Sequence, residues 1–395
     1  MITLSLPPVP GGATLPCPAE EIFNAPAIAR ALSEALTTGA QDRAVVVPIL
    51  NEARKSGMAA IEAALMRTPA EARPVTRAIA WLTDCLVTAA LAVADTALVP
   101  GPSTDRLAVL AVGGYGRGEM APQSDVDLLF LSDPKNSPRS DKVVEMMLYI
   151  LWDLRLKVGH ATRTIKDCLK LGAEDFTIRT ALLEQRFLTG DIALAADLDT
   201  RLKRELFKNT AREFIEAKLA ERDLRHEKQG QRYMVEPNVK EGKGGLRDLQ
   251  SLFWIAKYLH SVQNAAELVT LGVFRAEEFD TFIRAEDFLW TVRCHLHVLA
   301  GRPTEQLTFD MQVQVAERMG YKDKGGRRAV EHFMQDFFRH ATGVGDLTRI
   351  FLTKLEAMHV KSEPLLERIF RRTPKVKAGY TVIHNRIMPK DEKAF

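Results

Sequence analysis

From about Glu20 to Leu98 apolar residues recur three and four positions apart, in runs such as AIARALSEAL and IAWLTDCLVTAALAVADTAL. That period, with abundant alanine, predicts helices. Residues 1–20 are rich in proline and glycine and read as a loose leader, and Pro100-Gly101-Pro102-Ser103 is a breaker that closes the helical stretch. The pattern changes at Arg106. LAVLAVGG is a short apolar run ending in paired glycines, and DVDLLFL is an alternating-then-apolar run of strand length. The intervening YGRGEMAPQS reads as a loop by composition. A helix over about 141–155 sets Met146, Met147, Ile150, Leu151 and Leu154 on one stripe, and KVGHATRTI (157–165) fits a third strand. Strand, helix and strand in this order imply a small α/β unit. From about Asp167 the helical period returns, with a densely charged amphipathic helix over about 203–226. Further helices are expected around 247–262, 275–300, 310–320 and 327–358, and the tail after Arg372 has little periodicity. The expected class is α+β: a leader and helical segment (1–98), a small α/β domain (99–200), a mostly helical domain (201–358) and a linker (359–395).

Composition narrows the options. The chain has 395 residues, 46% hydrophobic and 27% charged, which is ordinary for a globular protein able to bury a large core. A net charge of +3 is too small for a general nucleic-acid binder, and basic runs interleaved with aromatics are lacking. Cys17, Cys85, Cys168 and Cys294 lie far apart, with neither disulfide-framework nor zinc-site spacing. The start lacks a basic region followed by an apolar one, and no run of 18 apolar residues is free of charge. A cytoplasmic protein without a nucleic-acid or membrane partner is expected.

The chemistry concentrates between Gly113 and Asp127. Residues two apart on a strand share a face, so Asp125 and Asp127 present two carboxylates side by side. Two such charges repel unless a cation lies between them, and Mg²⁺ prefers carboxylate and phosphate oxygens. Gly113 and Gly114 let the backbone approach a triphosphate and offer N–H donors. Ser124 could add a hydroxyl and Arg117 a positive charge, while Val126, Leu128 and Phe130 would hold the strand in the core. A second stretch, VEPNVKEGKGGLRDLQ (235–250), is a glycine-rich turn before a helix starting near Leu246. With Lys240, Lys243 and Arg247 beside it, that helix start would be an anion site, or else a rigid turn whose charges face water.

GGYGRGEMAPQSDVDLLFL resembles the nucleotidyltransferase signature of the DNA polymerase β superfamily. More narrowly, with 235–250, it resembles the family of enzymes that uridylylate the nitrogen-regulatory PII protein, over about residues 80–355. The resemblance implies a polymerase β-like domain over 99–200 and a helical family-type domain over 201–358. It also implies transfer of UMP from UTP to a PII tyrosine, with Asp125 and Asp127 as catalytic metal ligands for Mg²⁺. Many superfamily members use a third acid on a neighbouring strand; here 157–165 carries His160 and no acid, Asp153 lies just before it, and no third carboxylate is assigned. Longer family members add a uridylyl-removing HD domain and two sensing ACT domains. None of the nine histidines here is followed by aspartate, and His295 and His297, two apart on a helix, point apart. Removal and glutamine sensing are therefore expected to be absent, and 359–395 to lead toward a missing HD domain. Adenylyl transfer to a protein or small molecule, and nucleotide or PII binding without turnover, stay open as alternatives.

Overall fold

The computed structural model describes residues 2–38, 42–99, 101, 105–135, 138–229, 234–262, 264–359, 380–383 and 386–389. It is an α+β fold in which helices pack around a four-stranded sheet. The N-terminal part holds α1 (Ala19–Ile22), α2 (Ala25–Thr38), α3 (Arg43–Arg67) and α4 (Arg73–Val93). Asp42 starts α3 by accepting the Ala44 N–H at 3.3 Å. In α4 nearly every side from Val75 to Val93 is buried, so its apolar run is a core helix. With its extension to Leu98 it has the length and mean hydropathy, 1.6, of a bilayer-crossing segment, but 83% of that window is buried within the fold. The leader is not loose. Trp81 Nε1 donates to the Pro7 carbonyl at 2.8 Å, Ile2 N donates to Ser33 Oγ at 2.8 Å, and Ile2, Pro10 and Cys17 are buried. Proline removes backbone donors but keeps carbonyls and apolar rings, which suits a strap over a helix surface.

The sheet is built from β1 (Leu107–Ala111), a single turn α5 (Gly113–Gly116), β2 (Val126–Ser132), α6 (Pro138–Asp153), β3 (Val158–Arg163), α7 (Ile165–Glu174), α8 (Phe176–Leu183) and β4 (Arg186–Gly190). Its order is β3-β2-β1-β4: β1 runs antiparallel to β2 and β4, and β2 runs parallel to β3. Val126, Leu128 and Phe130 are buried in the main core, which includes residues of α4 and α6. Leu129 and Leu131 are buried on the other face with residues of α7, α8 and the following α9 (Ile192–Arg201). A sheet covered on both faces reads as a continuous apolar run, as Leu128 to Leu131 does.

The rest is helical: α10 (Ala211–Gln229), α11 (Leu246–His260), α12 (Glu267–Thr270), α13 (Ala276–Ala300), α14 (Phe309–Arg318) and α15 (Ala329–His359). The helix α13 packs against α4, α11, α14 and α15, and its buried residues join those of α4 and the sheet in one core. Most of the 359–395 segment lies outside the described residues; within it β5 (Tyr380–Ile383) and β6 (Arg386–Pro389) pair antiparallel.

Candidate active site

The register between β1 and β2 sets Ala111 opposite Leu128, and the Val112 N–H donates to the Asp127 carbonyl at 3.0 Å. The chain leaving β1 therefore runs past Asp127. A Cβ built on Gly113, at φ 59°, would lie 3.5 Å from Asp127 Oδ2, and one on Gly159, the β3 register partner, 2.5 Å from Asp127 Oδ1. The Asp127 carboxylate is thus flanked by two residues without side chains. Asp127 shares a face with Leu129 and Leu131 but is only half-buried, and Asp125, just ahead of the strand, is exposed. Burial pushes the Asp127 carboxyl above the ordinary range; the charge of Asp125 adds to the rise and Lys240 opposes it.

Gly113 and Gly114, expected to end the apolar run, and Tyr115 and Gly116, expected as loop, close into the single turn of α5. The Arg117 N–H donates to Gly113 O at 3.1 Å and the Glu119 N–H to Gly114 O at 3.1 Å. Arginines hold the other carbonyls: Arg77 donates to Arg117 O at 2.5 Å, and Arg186 donates to Gly116 O and Tyr115 O, each at 3.2 Å. Arg117 is not a free cation for phosphates. Its guanidinium is buried and bound to Glu184 at 2.6 Å and Glu119 at 3.1 Å, because a charge in that position has to be paired. The Ser124 oxygen accepts the Ala121 N–H at 2.9 Å and so closes the turn leading to Asp125.

Of the two readings of the 235–250 stretch, the turn fits better than the anion site, because the first N–H groups of α11 are used locally. Leu246 donates to Val239 O at 3.0 Å, Arg247 to Lys240 O at 2.9 Å and Asp248 to Gly245 O at 3.1 Å. Lys240 and Arg247 converge on Glu241 Oε1, at 3.8 and 3.2 Å, and Lys243 points elsewhere. Lys240 comes within electrostatic range of Asp127, and burial followed by the charges of Arg293 and Arg247 lowers its ammonium pKa. Lys243 instead lines a cavity of about 180 Å³ with Lys228, Asn238, Gln306 and Phe337. Arg247 is held by Glu241 at 3.2 Å and Gln250 at 3.0 Å, over the Trp254 ring.

Residues 213–352, which include this turn, match the GlnD PII-uridylyltransferase family. The chain is 60% identical over 380 residues to the bifunctional uridylyltransferase/uridylyl-removing enzyme of Ruegeria pomeroyi, covering 95% of this chain and 42% of that protein. The protein of the same name from Cereibacter sphaeroides is 57% identical over 387 residues, 96% of this chain and 42% of its own. That from Phenylobacterium zucineum is 58% identical over 261 residues, 66% of this chain and 28% of its own. The chain belongs to the PII-uridylyltransferase family. It spans 42% of the length of the first two relatives. Residues 16–150, which hold both carboxylates, also match the glutamate-ammonia ligase adenylyltransferase family.

In this uridylyltransferase-family chain the site is held by residues that sequence reasoning passed over. Arg73 on α4 binds Glu119 at 2.9 Å, Asp287 at 2.9 Å, and Glu286, while Arg77 adds a bond to Glu119 at 3.2 Å. Glu184 also accepts from Trp254 Nε1, and Arg186 grips the fully buried Asp84 at 2.8 and 3.0 Å. His295 reaches the Pro69 carbonyl at 2.7 Å, whereas His297 reaches Gln123, two residues ahead of Asp125. Only the paired arginines and acids could have been sought in sequence, and nothing in their spacing matches them up. As a cation site, Asp125 and Asp127 fit a hard divalent ion: both donors are carboxylate oxygens, and their mutual repulsion is what an ion would relieve. Among the described residues no cluster of three or more His, Cys, Asp or Glu forms a closed metal site, and Gly159 stands where a neighbouring strand could have supplied an acid.

Proposed function

We propose that this chain transfers UMP from UTP to a tyrosine hydroxyl of the PII protein, with release of pyrophosphate. The observation that carries the reading is the carboxylate pair Asp125 and Asp127 at the start of β2, with Gly113 beside Asp127 and the charge of Lys240 acting on it. Asp125 and Asp127 would hold Mg²⁺, which when bound stabilises charge on the transferring group and lowers the proton affinity of the acceptor. The backbone of Gly113 and Gly114 comes close enough to a triphosphate to donate N–H bonds, since no side chain intervenes. Lys240 supplies the positive charge facing the phosphates and favours departure of pyrophosphate. The tyrosine oxygen forms its bond to the α-phosphorus as the α–β anhydride bond breaks, and its proton passes to solvent. The protein's share is positioning: two acids set by a strand and a turn whose carbonyls are gripped from behind by Arg77 and Arg186. No histidine in this sequence precedes an aspartate, so transfer, not uridylyl removal, is assigned to it.

Adenylyl transfer is the second reading, favoured by the match of residues 16–150 to an adenylyltransferase family. The test is incubation with PII, Mg²⁺ and α-labelled UTP, in parallel with α-labelled ATP. Label on PII from UTP, lost in the Asp125→Ala/Asp127→Ala variant, is the expected result. Label from ATP alone would overturn the uridine assignment and keep the site. Nucleotide binding with no label from either would make this a binding module.

A further inference from the structure

We propose that His297 is a positioning residue that holds the carboxylate turn against α13. The proposal rests on the transferase reading of the same site. His297 is fully buried in α13, and its Nδ1 accepts the Gln123 N–H at 3.2 Å. An accepting Nδ1 carries no proton, so the ring hydrogen sits on Nε2. That nitrogen faces Glu305 Oε1 at 3.5 Å.

The two neighbours of the ring belong to different segments of the chain. Gln123 belongs to the turn in which Ser124 N donates to Ala121 O at 3.0 Å and Ser124 Oγ accepts from Ala121 N, and Asp125 follows directly. Its own N–H points out of that turn to the imidazole. Glu305 is fixed by Arg293 at 2.9 and 3.3 Å, and its carbonyl accepts the Val239 N–H at 2.9 Å, one residue before Lys240. An apolar side chain would fill the same volume. What the imidazole adds is an acceptor aimed at the acid-bearing turn, with its second nitrogen 3.5 Å from the Glu305 carboxylate. Loss of the acceptor leaves a backbone N–H without a partner and the turn free to shift, and a shift of about 1 Å at a reacting group costs on the order of 100-fold in rate.

The test compares His297→Asn with His297→Gln. The asparagine carboxamide oxygen takes the place of Nδ1, whereas the longer glutamine reaches toward Glu305 and leaves Gln123 short of an acceptor. Four quantities are read: kcat and KM for UMP transfer to PII, hydrogen exchange of the 119–128 segment, and the thermal midpoint. The expected result is kcat within about threefold of wild type for His297→Asn. For His297→Gln, kcat should fall on the order of 10- to 100-fold with KM for UTP little changed, and exchange at Gln123 should speed about tenfold. Equal losses in both variants, losses that follow the thermal midpoint, or unchanged exchange at Gln123 would overturn the role. If the wild-type chain transfers nothing, the transferase reading fails, and exchange at Gln123 still decides whether His297 holds the turn.

Discussion

Gly159→Ala is the sharpest perturbation of the carboxylate pair that leaves both acids in place. The added Cβ would lie 2.5 Å from Asp127 Oδ1 and 3.7 Å from its Cγ. Carbon and oxygen ordinarily approach no closer than about 3.3–3.6 Å, so the overlap is roughly 1 Å. Gly159 is absent from the positive-φ glycines, so alanine suits the backbone and the strain falls on the Asp127 side chain. That carboxylate is half-buried and can swing away without disturbing the strand. The fold should lose little, and restricting the unfolded chain can return about 0.4–1 kcal/mol. A displacement of about 1 Å at a reacting group costs on the order of 100-fold, equivalent to about 2.7 kcal/mol in the barrier. The assay is the initial rate of UMP incorporation into PII at saturating UTP, run beside thermal unfolding. His160→Ala, which alters the next residue on the strand, serves as the control. A Gly159→Ala rate within threefold of wild type would refute the idea that β3 keeps this space clear for a working Asp127, as would a rate loss matched by a collapse in thermal midpoint.

Lys240→Ala should raise the KM for UTP about tenfold or more, the usual worth of a charge-assisted contact, and Lys243→Ala should leave it within about twofold. Equal effects in steady-state kinetics would contradict the different directions of the two side chains. Burial, with Glu119 and Asp287 competing for Arg73, holds the Glu286 carboxyl well above its ordinary value. The folded state then keeps a proton that the unfolded chain releases. Stability from this group is fully present below the ordinary carboxylate pKa and is lost as pH rises through the raised one, by up to about 1.4 kcal/mol per pH unit. Urea unfolding at pH 5, 6.5 and 8 should show a decline that Glu286→Gln flattens; parallel slopes for the two proteins would exclude Glu286 as its source.

Three of the four sheet strands were legible in sequence because each carries its own pattern. β1 ends in paired glycines, β2 alternates before becoming wholly apolar, and β3 follows its helix after a short turn. β4 was missed. It has five residues with only Leu188 buried, and it becomes a strand by pairing with the β1 edge. Gly159 was invisible because its contribution is a missing side chain opposite Asp127, a fact of register between strands. Arg117 misled because a cation in a glycine-rich loop suggests phosphate binding. The partner that claims it, Glu184, lies 67 residues on and arrives only with the fold. The same limit applied to Lys240, Lys243 and Arg247, whose directions depend on how the turn closes onto residues 305–307.

The buried charges behind the site are better understood as a means of fixing geometry than as a source of stability. Ion pairs taken out of water roughly break even against apolar packing, so Arg73, Arg77, Arg117 and Arg186 need another reason to be there. Between them, Arg77 and Arg186 engage four consecutive carbonyls, from Tyr115 to Gly118. With those groups held from behind, the backbone at Gly113 and Gly114 cannot turn away from Asp127, and charge stabilisation is strongest when the groups providing it need not reorganise. The network also spans the two stretches that match different families. Arg73 lies within residues 16–150 and Glu286 and Asp287 within 213–352, and they meet beside Glu119, six residues ahead of Asp125. The helical part is thereby coupled to the carboxylate turn through α13 twice, by this cluster and by His297. A change in how α13 packs on α4 would reach Asp125 from both sides at once.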